Sequence, residues 1–135
     1  MKECDLIHHV YWKMRLKFER KLEELNLNFL HVQTLFILRN GPVEQSELTL
    51  KLGVVKGTTS KILQHLEARG LIRRERVKKR YLVHMTEEGK AVLQEIRKVG
   101  QELDSLMFEG FTPQERETLR ELLWKMLRNM GWEEE

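Results

Sequence analysis

Between Lys51 and Arg80 the chain carries ten lysines and arginines and only two acids, Glu67 and Glu75. That gives this segment a charge of +8 in a protein whose total is +3, so the other 105 residues together carry −5. A dense cation on an otherwise acidic chain is the footprint of a surface that meets a polyanion. A merely solvated face mixes both signs. Six of the cations, Arg73, Arg74, Arg76, Lys78, Lys79 and Arg80, fall within eight residues. Immediately upstream, KGTTSKILQHLEAR sets Lys56, Lys61 and Gln64 among Thr58, Ser60 and His65. Ammonium and amide groups can read base edges, lysine favouring guanine and glutamine adenine, and the hydroxyls suit either bases or phosphates. Gly57 puts no side chain between the start of this stretch and a close-approaching ligand.

Other chemistries find less support. There is no phosphate-cradling glycine loop and no HExxH, and Ser60 and His65, five apart on one helix, do not set a base against a nucleophile. The chain is therefore read as a non-enzyme that needs no cofactor. Cys4 and His8 stand four apart, with His9 beside them and His31 further on, a spacing that could share a zinc ion on a helix. No dense cluster of acids and histidines surrounds them, and no metal ligands are assigned. Cys4 is the sole cysteine, which precludes an internal disulfide framework and suits a reducing compartment. Only Lys2 is near enough in sequence to activate it as a redox sensor.

The elements that must position the basic segment follow from periodicity. Apolar residues spaced three and four apart predict a helix over 5–25, and FLHVQTLFILRN predicts a second over 29–40, closed by Gly41-Pro42. The second is apolar nearly all round and is expected beneath the others. EQSELTLKLG is a short helix with Leu48 and Leu52 inward. A turn containing Gly53 then leads to the helix from Lys56 to Arg69, which makes a helix-turn-helix. Thr59, Ile62, Leu63 and Leu66 fall on one face of that last helix, and Gly57, Lys61 and Gln64 lie opposite. Gly70 caps it, with Leu71 behind. LIRRERV and RYLVHM read as two strands joined around Lys78 and Lys79, a small basic wing whose cations two apposed strands cannot easily neutralise. Two long helices finish the chain, the first capped by Thr86 and the second by the box Thr112-Pro113-Gln114-Glu115.

The 135 residues, 41% hydrophobic and 33% charged, suit one globular subunit, mainly α with a small β-hairpin. No apolar stretch approaches the roughly 18 residues of a membrane span. The N-terminal MKECDLIHHVYWKMR is unlike a signal peptide, so the protein is expected in the cytoplasm without a membrane partner. The DNA-reading lobe needs only residues 29–86. The helices in 1–28 and 87–135 carry apolar faces too large for one small core, and a core shared between two copies of the chain accommodates them. A symmetric homodimer also suits a pseudo-palindromic site.

With these elements in place the chain resembles a MarR-family transcriptional regulator (the multiple antibiotic resistance regulator type) over nearly its whole length. The resemblance rests on QTLFILRNG, ELTLKLGVVKGTTSKILQHLEARGLIRR and YLVHMTEEGKAVL. It implies a winged helix-turn-helix joined to a dimerisation region built from both chain ends. It further implies a homodimer, most often a repressor, that leaves its operator when a small molecule or an oxidant changes the separation of its two DNA-reading lobes. By position, Lys56, Thr58, Ser60, Lys61 and Gln64 would address the major groove, Gln45 and Ser46 phosphates, and the wing cations the adjacent minor groove. An aromatic effector would lie between lobe and dimer core, with Tyr11, Trp12, His31 and Phe36 as candidates. The chain departs from the family pattern in three places. The wing lacks the family's Asp-Arg pair near its tip. Val55 replaces a Ser or Thr cap, and Glu44 replaces a hydroxyl residue before the preceding helix.

Two readings compete on the same scaffold. A winged-helix module that binds protein would show an apolar or acidic outer helix face and a neutral wing, against the +8 segment. A metal-responsive regulator would change its DNA affinity with zinc.

Overall fold

The computed structural model describes residues 1–132. Its elements run α1 (Glu3–Glu24), α2 (Phe29–Ile37), a 3-10 turn (Leu38–Asn40), β1 (Val43–Glu44), α3 (Gln45–Leu52), α4 (Lys56–Ala68), β2 (Ile72–Val77), β3 (Arg80–Met85), α5 (Glu87–Met107) and α6 (Pro113–Asn129). Among the described residues no helix is long and apolar enough to cross a membrane. The chain forms two compact units, Met1–Leu103 and Asp104 onward.

In the first unit, Leu22 of α1, Leu35 and Leu38 of α2 and its turn, Leu48 of α3, and Leu63 and Leu66 of α4 close one core. Ile72 and Val83 seal it from the sheet. Fully burying each such side chain contributes about 1.5–3 kcal/mol. The joint between α3 and α4 is also polar. The hydroxyls of Thr49 and the buried Thr59 share a hydrogen bond at 2.8 Å, and Thr49 Oγ1 also lies 3.2 Å from the Gln45 carbonyl. Two left-handed glycines end these helices, Gly53 at φ +66° and Gly70 at φ +73°. At Gly70 the bonds Leu71 N–H to Leu66 O and Gly70 N–H to Glu67 O complete a Schellman motif, with buried Leu66 and Leu71 as its apolar pair.

Two expectations need correction. The helix over 29–40 stops at Ile37 and tightens into the 3-10 turn, and it is not buried all round, since Phe36 is 45% exposed beneath the Arg39 guanidinium. The wing is also not two strands alone. Val43 and Glu44 pair antiparallel with Val83 and Leu82, so the sheet has the order β1-β3-β2. Two residues after Pro42 are too few for an alternation to register in the sequence.

Thr86 caps α5 as expected. Its hydroxyl accepts from Gly89 N–H and donates to the Gly70 carbonyl, tying the helix start to the end of α4. Gly89 is buried there, and a Cβ on it would collide with the Leu71 carbonyl and the Met85 side chain. In the second unit the capping box of α6 is complete: Thr112 Oγ1 accepts from Glu115 N–H and Glu115 Oε1 from Thr112 N–H, with Pro113 in the first turn. Asp104 there takes two bonds from Arg116, whose guanidinium lies 4.3 Å from the Phe108 ring centre.

Candidate nucleic-acid interface

Helix α4 presents the face its periodicity requires. Thr59, Ile62, Leu63 and Leu66 are buried, while Lys56, Gly57, Lys61 and Gln64 are exposed and Thr58 and Ser60 half-buried. Val55 stands at the N-cap without a side-chain bond, 72% exposed, so the first turn of α4 begins on uncapped amides. Nothing lies within 4 Å of where a Cβ on Gly57 would sit. Glu44 fills the N-cap of α3, again without a cap bond. Ser46 is exposed in the first turn of α3, and Gln45 is half-buried with its Oε1 atom buried.

At about 100° per residue, two flanks border the outward face of α4. Ser60 and Glu67 lie on one flank, Thr58, His65 and Arg69 on the other. Each flank is tied to a different neighbour. On the second, His65 Nε2 lies 2.9 Å from the Asn26 carbonyl, which also accepts from Arg69 at 3.2 Å. Asn26 adopts φ +56° in the corner between α1 and α2. The His31 ring stacks on His65 at 4.3 Å between centres and 13° between planes. His31 Nδ1 accepts from Asn28 N–H at 3.0 Å, while Asn28 Oδ1 accepts from His31 N–H. Burial, with His65 and Arg69 close by, lowers the His31 pKa to about 4, so the ring is neutral at pH 7.

On the first flank, Glu67 receives a two-pronged bond from Arg74 of β2, Nε to Oε2 at 3.2 Å and Nη2 to Oε1 at 3.1 Å. The guanidinium holds the Glu67 carboxyl below the usual carboxylate range and is itself raised in pKa by that bond. Arg74 also lies 5.6 Å from the Tyr81 ring centre. Arg80 pairs with Glu44 at 3.2 Å, across the β3–β1 edge. The two wing strands do not themselves neutralise these cations, but Arg74 and Arg80 find acids elsewhere. Their acids come from α4 and β1 and not from the hairpin itself. Within the hairpin, Glu75 pairs with His84 at 2.8 Å.

Arg73, Arg76, Lys78 and Lys79 are exposed on the wing. Arg76 Nε donates to the Lys78 carbonyl at 3.3 Å, and Lys78 turns the hairpin at φ +60°. An open cleft of about 670 Å³ lies at this end of the sheet, lined by Glu44, Val77, Lys78, Lys79, Arg80 and Leu82.

The four aromatic candidates do not converge in the way α4 and the wing do. Tyr11 and Trp12 are exposed on α1, Tyr11 accepting from Arg15 and Trp12 stacked near His8. Phe36 is exposed on α2, and His31 is buried and already bonded. None of them lines the wing cleft or the smaller cavity bounded by Arg15, Glu19, Leu27 and Phe29. Cys4 is exposed. Among the described residues no three His, Cys, Asp or Glu side chains gather as a metal site.

Comparison with known proteins agrees with this geometry. The sequence profile described as MarR family matches residues 25–80, from the corner before α2 through the wing tip. The apo structure of MarR from E. coli superimposes with a TM-score of 0.79 at 26% identity, covering 94% of this chain and 97% of that one. The segment from the α1–α2 corner through the wing tip thus matches the MarR family. These matches support a winged helix-turn-helix of the DNA-binding, transcription-regulator kind. An uncharacterised HTH-type transcriptional regulator of Bacillus subtilis, YybA, is 29% identical over 120 residues, spanning 83% of this chain and 80% of its own length. MepR, a transcription regulator of the Staphylococcus aureus multidrug efflux pump MepA, shares the fold with a TM-score of 0.88 at 21% identity, over 97% of this chain and all of that one.

Sequence reasoning on this lobe missed the acids that organise its cations. Glu67 and Arg74 are seven residues apart, Glu44 and Arg80 thirty-six. The signal available was the placement of Glu67 on a flank of α4, one strand away from the wing.

Proposed function

We propose that this protein is a cytoplasmic, homodimeric repressor that reads a pseudo-palindromic duplex. The observation that carries the reading is the adjacency of an uncrowded outward face on α4 to an exposed cationic wing within one compact unit. Lys61 and Gln64, with Lys56, Thr58 and Ser60 beside them, address base edges in the major groove. Gln45 and Ser46 hold phosphate at the start of α3. Arg73, Arg76, Lys78 and Lys79 lie along the flanking backbone, with Arg80 at the sheet edge.

Two copies are needed because each terminal region displays an apolar face. Leu6, Ile7, Val10 and Tyr11 are 43–52% exposed on α1, and Leu122, Leu123, Met126 and Leu127 are 41–53% exposed on α6. Patches of that kind on a single chain mark an interface. On this reading the helices in 1–28 and 87–135 supply the dimerisation region, and 29–86 is the DNA-reading lobe. Relief by a small aromatic molecule or an oxidant follows the family habit. Tyr11, Trp12 and Phe36 are exposed enough to receive an effector, whereas His31 serves the helix cap.

The test is a salt titration of binding to the duplex this protein selects from a randomised pool, against a scrambled duplex of the same length. Selective binding by two chains per site, falling steeply with salt, supports the reading. Weak and equal binding to both duplexes removes the sequence-specific part. No binding at low salt removes the DNA reading itself.

A further inference from the structure

We propose that Arg74 is a positioning residue whose two-pronged bond to Glu67 fixes the roll of α4 against the wing, so that Lys61 and Gln64 meet the bases in one orientation. The inference rests on the assignment of α4 as the DNA-reading helix. It departs from the simpler view of Arg74 as one more phosphate contact.

Three observations carry it. First, the Arg74 side chain is only 22% exposed, whereas that of Arg80 is 74% exposed. Both Glu67 oxygens take a bond from it, and the Tyr81 ring lies close by. A planar fork held at two points transmits orientation, which a single point charge does not. Second, Glu67 is a carboxylate on the border of a face that must approach phosphates, and a glutamine there would remove the repulsion at no cost in size. Keeping the acid makes sense if its bond to the wing is what matters. Third, the opposite flank of α4 is tied as well, through His65 and Arg69 to the Asn26 carbonyl. A helix restrained on both sides of its outward face cannot roll about its own axis.

The two roles for Arg74 predict opposite signs for one substitution. In Glu67→Gln the acid is gone and Arg74 is released. If Arg74 positions, the ratio of selected to scrambled affinity falls, by roughly two- to 150-fold over the range of coupling between residues in one network. Arg74→Lys, which keeps the charge and loses the fork, falls similarly, and Arg74→Gln keeps the parental salt slope. The double variant Glu67→Gln/Arg74→Gln is then no worse than either single one. If Arg74 is a phosphate contact, Glu67→Gln binds every duplex as tightly or more tightly with the ratio unchanged. Arg74→Lys then behaves as the parent, and Arg74→Gln flattens the salt slope by about 1. Those results overturn the proposal.

A measurement without DNA separates this from failure of the DNA reading. The backbone amides of residues 56–60 lie about 10–16 Å along the helix from Glu67. Their NMR shifts move in Glu67→Gln if α4 rolls. If the parent shows no sequence selectivity, the DNA reading has failed, yet moving amides still uphold the clamp on the roll of α4. Unmoved amides overturn the clamp whatever the DNA result.

Discussion

The cations of this protein differ in kind although the sequence writes them alike. Lys61 is exposed on the outward face of α4 and Lys79 at the wing tip. Lys61→Ala should weaken binding to the selected duplex by about 1–3 kcal/mol and leave scrambled DNA little changed. Lys79→Ala should weaken both duplexes alike and flatten the salt slope by about 1; parental binding by both variants would remove the surface from consideration. His31 makes a second residue-scale prediction. Its Nδ1 must stay unprotonated to accept from Asn28, and the charges facing it, His65 and Arg69 on α4, oppose a proton. The folded pKa of about 4 lies below the ordinary 6.5, so the unfolded chain binds the extra proton first. Stability from this group is full above pH 6.5 and is lost as pH falls from 6.5 towards 4, by on the order of 3 kcal/mol. Urea midpoints measured across that window should fall in the parent and stay flatter in His31→Gln.

At the scale of elements, the helix proposed to read DNA is the poorly begun one. The helices α2 and α6 open with reciprocal side-chain caps at Asn28 and Thr112, whereas α4 opens on an exposed valine. Val55→Ser supplies the missing acceptor and removes little packing, since Val55 is 72% exposed. It should stabilise the protein by about 1 kcal/mol, raising the thermal midpoint by several degrees. A midpoint equal to or below the parent's would mean that the valine packs against something, or that the α4 amides already have partners. The sheet shows the same division between local and distant design. Its hairpin was plain from two β-rich runs around Lys78-Lys79, but its third strand depends on where Pro42 delivers the chain, beside Val83 and Leu82.

At the scale of the whole molecule, the exposed apolar faces of α1 and α6 depart from what one isolated chain should show to water. Placing a charge on one of them, as in Leu123→Glu, should shift sedimentation from two chains to one and cost DNA affinity through loss of the second half-site. The Asp104–Arg116 pair and the α6 cap keep helicity intact in that variant. An unchanged sedimentation coefficient would exclude α6 from the interface.

The sequence by itself determined the helices, the hairpin and the sign of the surface, though not β1 or the end of α2. Period 3.6 put Thr59, Ile62, Leu63 and Leu66 inward and Lys61 and Gln64 outward, and the charge run marked the wing, because both signals are local and repeat along a few turns. Caps at Thr86 and Thr112 and the glycine at 70 were legible for the same reason. Tertiary structure decided which cations are committed and how α4 is held. His65 meets Asn26 across 39 residues, and Glu44 meets Arg80 across 36. Arg74 finds Glu67 only once β2 has turned back along α4. An ion pair or a stacked histidine depends on distances that the fold sets, and no periodicity encodes a partner three dozen residues away.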